Sequence, residues 1–207
     1  MFISGNEDLR VQKTITAIRQ TFIDLLTDMD YEKITVKALC ERAKINKKTF
    51  YRYYETLDAL LIELLEEFSN GYMEKIKNYR VPEDLEQINR EFFLYSSKQS
   101  SVYEKIVCSV SHHHFGNKMI SKIVECTWKN SSMFQDLKKY EQKILLTFAC
   151  NVGLELYRQW VNEGKNIALE EIIKLSSELL CRGTSGYSSL LKNEQKNKLK
   201  NTQTTAL

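Results

Sequence analysis

The stretch "ITVKALCERAKINKKTFYRYYETLDALL", residues 34–61, combines an apolar beat, a break made without proline, two adjacent lysines and a cluster of aromatics. Thr35 stands where a helix N-cap belongs, because its hydroxyl can satisfy a free backbone N–H, and Val36, Leu39 and Ala43 then share one face of a short helix. Residues 44–46 (KIN) interrupt that helix. Asn46 can cap a second one, in which Phe50 turns inward with Ile45 while Lys47, Lys48, Thr49, Tyr51 and Arg52 point elsewhere. Two short helices joined by a tight turn, the second basic at its start, describe a helix-turn-helix. The side chains suit nucleic acid: lysine and arginine neutralise phosphates, Thr and Tyr hydroxyls donate to phosphate oxygens, and long side chains at the start of the second helix reach base edges. A basic amphipathic hairpin with no nucleic-acid partner would share this pattern.

Charge favours the first reading. Residues 33–52 carry Lys33, Lys37, Arg42, Lys44, Lys47, Lys48 and Arg52 against Glu41 alone, a local +6 in a chain whose net charge is only +3. Most charged runs are solvated helix faces. A concentration this dense is the electrostatic footprint of a phosphate-binding surface.

The rest of the 207 residues reads as all-helical. One proline and seven glycines leave few breaks, and apolar residues recur at helical spacing in Ile15, Ile18, Phe22, Leu25 and Leu26, then in Leu57, Leu60, Leu61, Leu64, Leu65, Phe68 and Tyr72. Pro82, followed by Glu83 and Asp84, reads as the first turn of a helix running to about Lys98. Further helices are expected around 101–108, 115–129, 136–163 and 168–181, with Gly164 as the C-terminal stop between the last two. From Arg182 the chain becomes polar, lysine-rich and weakly periodic, and reads as a mobile tail.

Several function classes find little support. No run of about 18 apolar residues exists to span a bilayer, and the start lacks a signal-peptide pattern, so a cytoplasmic protein without a membrane partner is expected. The five cysteines are scattered without a CxxC and read as reduced thiols. No Gly-rich phosphate loop, nucleophile elbow or HExxH is present, so neither an enzyme nor a cofactor is expected. His112, His113 and His114, with Cys108 or Cys126, are suitable metal-ligand types. Adjacent helical residues point about 100° apart and cannot all face one ion, so no metal site is assigned.

Residues 14–26 (TITAIRQTFIDLL) and 31–61 (YEKITVKALCERAKINKKTFYRYYETLDALL) together resemble the DNA-binding domain of TetR-type bacterial transcription regulators. The likeness lies in an amphipathic first helix, I-T-V, the A-x-I-N turn, T-F-Y-x-Y-Y and an aliphatic helix opening directly afterwards. Residues 145–180 (LLTFACNVGLELYRQWVNEGKNIALEEIIKLSSELL) are similar to the last two helices of the branch related to dihydroxyacetone kinase operon regulators. The resemblance implies that Thr35, Thr49, Tyr51 and Tyr53 touch the DNA backbone, that Lys47, Lys48 and Arg52 lie at the groove, and that Arg10 and Lys13 are weaker phosphate contacts. Two departures stand out. The family usually has a small residue where Lys44 or Lys48 stands and often a lysine where Leu57 stands, so Lys44 or Lys48 supplies charge from another position.

The resemblance also implies a homodimer on double-stranded operator DNA, most often a repressor released by an effector of unidentified kind; the runner-up is a co-regulator acting through a protein partner. The expected organisation is a helix-turn-helix domain over 1–55, a helical effector-binding and dimerisation domain over 56–182, and the tail over 183–207. Dimer contacts are expected from Phe148, Val152, Leu156, Trp160, Ile172 and Leu179, with Gly153 allowing close approach. Tyr72, Phe92, Phe93, Tyr95, Phe115 and Trp128 are the candidate lining of an effector pocket.

Overall fold

The computed structural model describes residues 9–109 and 113–183, and among them every regular element is helical. The first helix, α1 (Leu9–Asp28), buries Ile15, Ile18, Phe22, Leu25 and Leu26 along one stripe, as a 3.6-residue period requires. A 3₁₀ turn (Tyr31–Lys33) leads into α2 (Val36–Arg42) and α3 (Lys47–Tyr53). The long α4 (Leu57–Ile76) follows, with Leu60 and Leu61 fully buried.

Beyond it come α5 (Leu85–Ser96), α6 (Ser101–Cys108), α7 (His113–Trp128), the single turn α8 (Ser132–Gln135), α9 (Lys139–Asn162) and α10 (169–183). One continuous apolar cluster runs from Ile18, Phe22 and Phe50 through Leu61 and Leu65 to Phe93, Tyr157 and Ile173. The α1–α3 head and the α5–α10 body therefore share a core, with α4 reaching into both. A satellite cluster of Val81, Trp128 and Phe134 closes the far end of the body.

Specific polar contacts fix the joints. Arg19 of α1 donates to Glu63 of α4 at 3.0 Å and also pairs with Glu67. The Glu67 hydrogen bond, followed by nearby carboxylate charge, holds the Arg19 pKa above its usual value against the opposing effect of burial. Lys105 of α6 donates to Met29 O at 2.9 Å and Thr27 O at 3.4 Å, which places a cation on the carbonyl end of α1, where helix dipoles favour positive charge. Tyr31 packs edge-on against Phe22 of α1 and Phe115 of α7, and its hydroxyl donates to Asp58 of α4.

Several expectations change. The helix after Pro82 starts later, at Leu85: the Asp84 carboxylate accepts the Arg80 N–H at 2.8 Å, so residues 81–84 close a turn first. The short α8 was not expected, since four residues are too few to display a period. Gly164 does end α9, at φ +75°. Gly153 faces inward, where an added Cβ would meet Asn89 Oδ1 at 3.4 Å and Phe92 at 3.8 Å, so the close approach it permits joins α9 to α5 within one chain. The tail over 184–207 and His112 lie outside the described residues, as does the His113 side chain; His114 is exposed against the Phe115 ring.

Candidate nucleic-acid interface

Both caps of the hairpin form as the residue types require. Thr35 Oγ1 accepts from Ala38 N at 3.1 Å and opens α2. Asn46 Oδ1 accepts from Thr49 N at 2.7 Å and opens α3. Between them, Ile45 N donates to Cys40 O at 3.0 Å and Lys44 N to Glu41 O at 3.3 Å, the paired closure of a Schellman turn. Lys44 takes its left-handed position at φ +54°, a site that ordinarily favours glycine. Phe50 is fully buried and holds the hairpin to the core, stacked on Tyr54 at 5.9 Å. Tyr54 in turn donates to Glu63 at 3.2 Å, and burial followed by the Glu63 charge pushes its pKa well up. Burial likewise raises the Cys40 thiol, with Lys47 acting in the opposite direction.

The seven cations of the basic stretch divide into two groups. Lys33 pairs with Asp30 at 3.0 Å, Lys37 with Glu41 at 3.9 Å and Arg42 with Asp28 at 2.5 Å. The Lys33 hydrogen bond and charge hold the Asp30 carboxyl below its usual value, and the Asp28 hydrogen bond raises the Arg42 pKa. Lys44, Lys47, Lys48 and Arg52 are exposed and form no ion pair among the described residues. These four form the unneutralised face of the head.

The hydroxyls divide as well. Tyr51 is 54% exposed, and its hydroxyl makes no hydrogen bond among the described residues. Tyr53 is half-buried, with the Arg52 guanidinium 5.9 Å above its ring. Thr35 uses only acceptor capacity in its cap and keeps a proton to donate. Thr49 donates its own hydroxyl proton to Asn46 Oδ1 at 3.0 Å, so that proton is already engaged. Leu57 is half-buried against the core at the start of α4, while Arg10 and Lys13 are exposed at the start of α1.

The aromatics expected around an effector separate into two sets. Tyr72, Phe92 and Trp128 line a cavity of about 60 Å³ between α4, α5, α7, α9 and α10. Phe93 is fully buried in the main core, Tyr95 packs on Tyr72 without reaching the cavity, and Phe115 sits at the head–body junction against Tyr31. Sequence reasoning missed Asn89, a cavity-wall residue on the otherwise apolar face of Leu85, Ile88 and Phe92. That lone amide was the available signal.

The expected dimer residues separate similarly. Phe148 is 45% exposed, and Val152, Leu156 and Leu179 are half-buried. Trp160 and Ile172 are each only 7% exposed and belong to the chain's own core; Trp160 Nε1 donates to Ile167 O at 2.9 Å. Their helical phase turns them inward. The exposed apolar face of α9 instead continues through Ile144, 67% exposed, and Tyr140. Among the described residues no group of His, Cys, Asp and Glu could hold a metal ion, and no helix is long and apolar enough to cross a membrane.

An all-helical chain with a capped, basic two-helix hairpin at one end belongs to the helix-turn-helix proteins, and comparison with known families makes the class specific. Residues 23–64 match the family described as bacterial regulatory proteins, tetR family, and residues 83–181 match a transcriptional regulator C-terminal region of the same family. The chain belongs to the TetR family of transcriptional regulators. A TetR transcriptional regulator from Streptococcus agalactiae 2603V superposes with a TM-score of 0.64 at 20% identity, over 83% of this chain and 95% of its own. The dihydroxyacetone kinase operon activator DhaS superposes at 0.50 with 20% identity, over 81% of this chain and 93% of its own. An uncharacterized HTH-type transcriptional regulator of Bacillus subtilis (strain 168), YxbF, is 30% identical over 54 residues. That match spans 26% of this chain and only 14% of YxbF.

Proposed function

We propose that this chain is a dimeric repressor whose head, residues 1–55, binds double-stranded operator DNA, and whose body, residues 56–182, pairs with a second copy and takes up an effector that releases the DNA. The observation that carries this reading is the division of charge on the hairpin: three cations are neutralised by neighbouring acids, while Lys44, Lys47, Lys48 and Arg52 are left to an external anion. A duplex supplies such anions at regular spacing. Tyr51, Thr35 and Tyr53 add phosphate contacts through their hydroxyls, whereas Thr49 can do so only by giving up its bond to Asn46.

The mate is accommodated by the apolar stripe of Tyr140, Ile144 and Phe148 on α9, continued by Val152, Leu156 and, on α10, Leu179. Pairing there sets two heads to read successive major grooves about 34–36 Å apart. The effector site is the cavity beside Tyr72, Phe92 and Trp128. Filling it separates α4 from α5 and α7, and α4 packs directly against the head, so occupancy alters the spacing of the two heads. The protein acts in the cytoplasm and needs no cofactor.

Leu57 favours a second reading, a co-regulator acting through a protein partner, because an apolar residue at the start of α4 offers no phosphate contact. Titrating fluorescent duplexes from the gene's own upstream region at several salt concentrations separates the two. A repressor should prefer its operator over unrelated duplex by about a thousandfold or more, with each neutralised phosphate adding about 0.9 to the log–log salt slope. A ratio near one would transfer the assignment to the co-regulator.

A further inference from the structure

Three polar side chains that line the body's cavity, those of Tyr72, Thr127 and Asn89, are already engaged within the protein. Tyr72 Oη donates to Ile88 O at 2.9 Å, and Thr127 Oγ1 donates to Ile123 O at 2.8 Å. The Asn89 side chain donates to Ser177 Oγ at 3.0 Å and accepts from Ser176 Oγ at 3.1 Å. Among the described residues no Asp, Glu, Lys, Arg or His lines the space. A polar group entering it would leave its water partners and find few replacements, so the cavity suits hydrocarbon. Its free volume of about 60 Å³ holds roughly four water-sized spheres, which matches the end of a short alkyl chain.

A groove of about 680 Å³ lies against this cavity, formed by the α4–α5 connection and the segment after α7. The two spaces share Val81 and Thr127 as wall residues, which places the groove directly beside the cavity. The groove has the opposite chemistry, with Asn130, Ser132 and the cations Lys77 and Arg80 against one acid, Glu83, among the described residues. Lys77 is held by Glu74 at 2.8 Å. The exposed Arg80 guanidinium forms no ion pair among the described residues.

We propose that cavity and groove form one site for an anionic amphiphile, a short hydrocarbon chain carrying a carboxylate or phosphate, with the chain against Trp128 and the anion on Arg80. This rests on the reading of the cavity as the effector site and adds the chemical class of the effector. The Arg80 fork presents parallel N–H donors to either anion. The bound chain gains by leaving water until the cavity is full, and further methylenes then remain in the open groove.

Trp128, in the cavity wall, supplies an optical reporter. The full chain is titrated with straight-chain carboxylates from butanoate to decanoate, with alkyl phosphates and with 1-alkanols of matching length, followed by tryptophan fluorescence and calorimetry. Affinity should rise about fourfold per methylene over the first members and then level, and the anions should bind about fivefold or more tightly than the matching alcohols. Arg80→Ala should erase the head-group preference and leave the alcohols unchanged; Thr127→Trp, which crowds the shared wall, should weaken every ligand. The ratio of phosphate to carboxylate affinity identifies the head group. Equal binding of alcohols and anions in both wild type and Arg80→Ala would overturn the anionic class and leave the effector cavity standing. Failure of every alkyl ligand to bind would overturn both, as would anion binding that Thr127→Trp leaves untouched.

Discussion

Among the described residues two lysines hold the left-handed backbone conformation that side chains avoid, and they use their charges differently. Lys44, at φ +54°, closes the turn between α2 and α3; Lys165, at φ +58°, follows Gly164 at the end of α9. Both turns close through the same pair of backbone bonds: Lys165 N donates to Trp160 O at 2.8 Å and Gly164 N to Val161 O at 3.0 Å, as Ile45 and Lys44 do on Cys40 and Glu41. The Lys165 ammonium pairs with Glu104 of α6 at 2.6 Å and lies 5.5 Å from the Trp160 ring centroid. These contacts offset the strain of its backbone inside the molecule. Lys44 has no ion pair among the described residues, so its strain of roughly 1 kcal/mol is uncompensated by charge pairing within the chain. A strained residue of that kind points outward to function.

The largest test extends this contrast to the whole basic stretch. Replacing Lys47, Lys48 and Arg52 together by alanine should reduce operator affinity by about a thousandfold or more, to the level of unrelated duplex. Replacing Lys33, Lys37 and Arg42, which are neutralised by Asp30, Glu41 and Asp28, should change it within about threefold. Both triple variants should melt close to wild type, since exposed side chains away from caps and core move stability by about 0.5 kcal/mol or less. Gel-shift titration beside thermal melting checks all four expectations. Equal losses in the two triples would remove the distinction between paired and unpaired cations.

The hairpin was legible because its determinants are local. Thr35 caps Ala38 and Asn46 caps Thr49, each three residues away, and the charge excess is a property of the stretch itself. The pairing of Arg42 with Asp28 was less accessible, because it depends on how α1 lies beside α2. In the body, an apolar helical pattern gives the existence of a buried face but not its phase against the surrounding helices. Trp160 therefore reads as interface and folds as core, and Phe93 reads as pocket lining and folds beside it. The polar clasp of Asn89 on Ser176 and Ser177 joins residues 87 and 88 positions apart. A void is set by which side chains fail to fill a space that α4, α5, α7, α9 and α10 define together, and no single stretch of sequence carries that information.

A smaller test separates contact from strain at Lys165. Lys165→Ala keeps the unfavourable backbone angle and loses both the Glu104 pair and the Trp160 contact, so unfolding free energy should fall by about 1–2 kcal/mol, a drop in Tm of about 3–6 °C. Lys165→Gly loses the same contacts but relieves the angle, and should recover about 1 kcal/mol of that loss. Equal stabilities of the alanine and glycine variants would show that the left-handed conformation costs nothing at this turn.

The subtlest test applies the same pair of substitutions to Lys44, where stability and affinity should move in opposite directions. Glycine accepts φ +54° without penalty, so Lys44→Gly should stabilise the fold by about 1 kcal/mol, a rise in Tm of about 2–4 °C. Lys44→Ala keeps the strain and should leave Tm near that of wild type, because no ion pair is lost. Both substitutions remove one cation from the unneutralised face. If Lys44 meets a phosphate, each should lower the log–log salt slope of operator binding by about 0.9 and weaken all sequences nearly alike, since backbone contacts do not read bases. The discriminating result is the joint behaviour of Lys44→Gly: a higher Tm with a shallower salt slope means that the turn retains lysine for its charge at the expense of stability. A higher Tm with an unchanged slope would assign the strain no role in DNA binding and leave Lys47, Lys48 and Arg52 as the phosphate contacts of the hairpin.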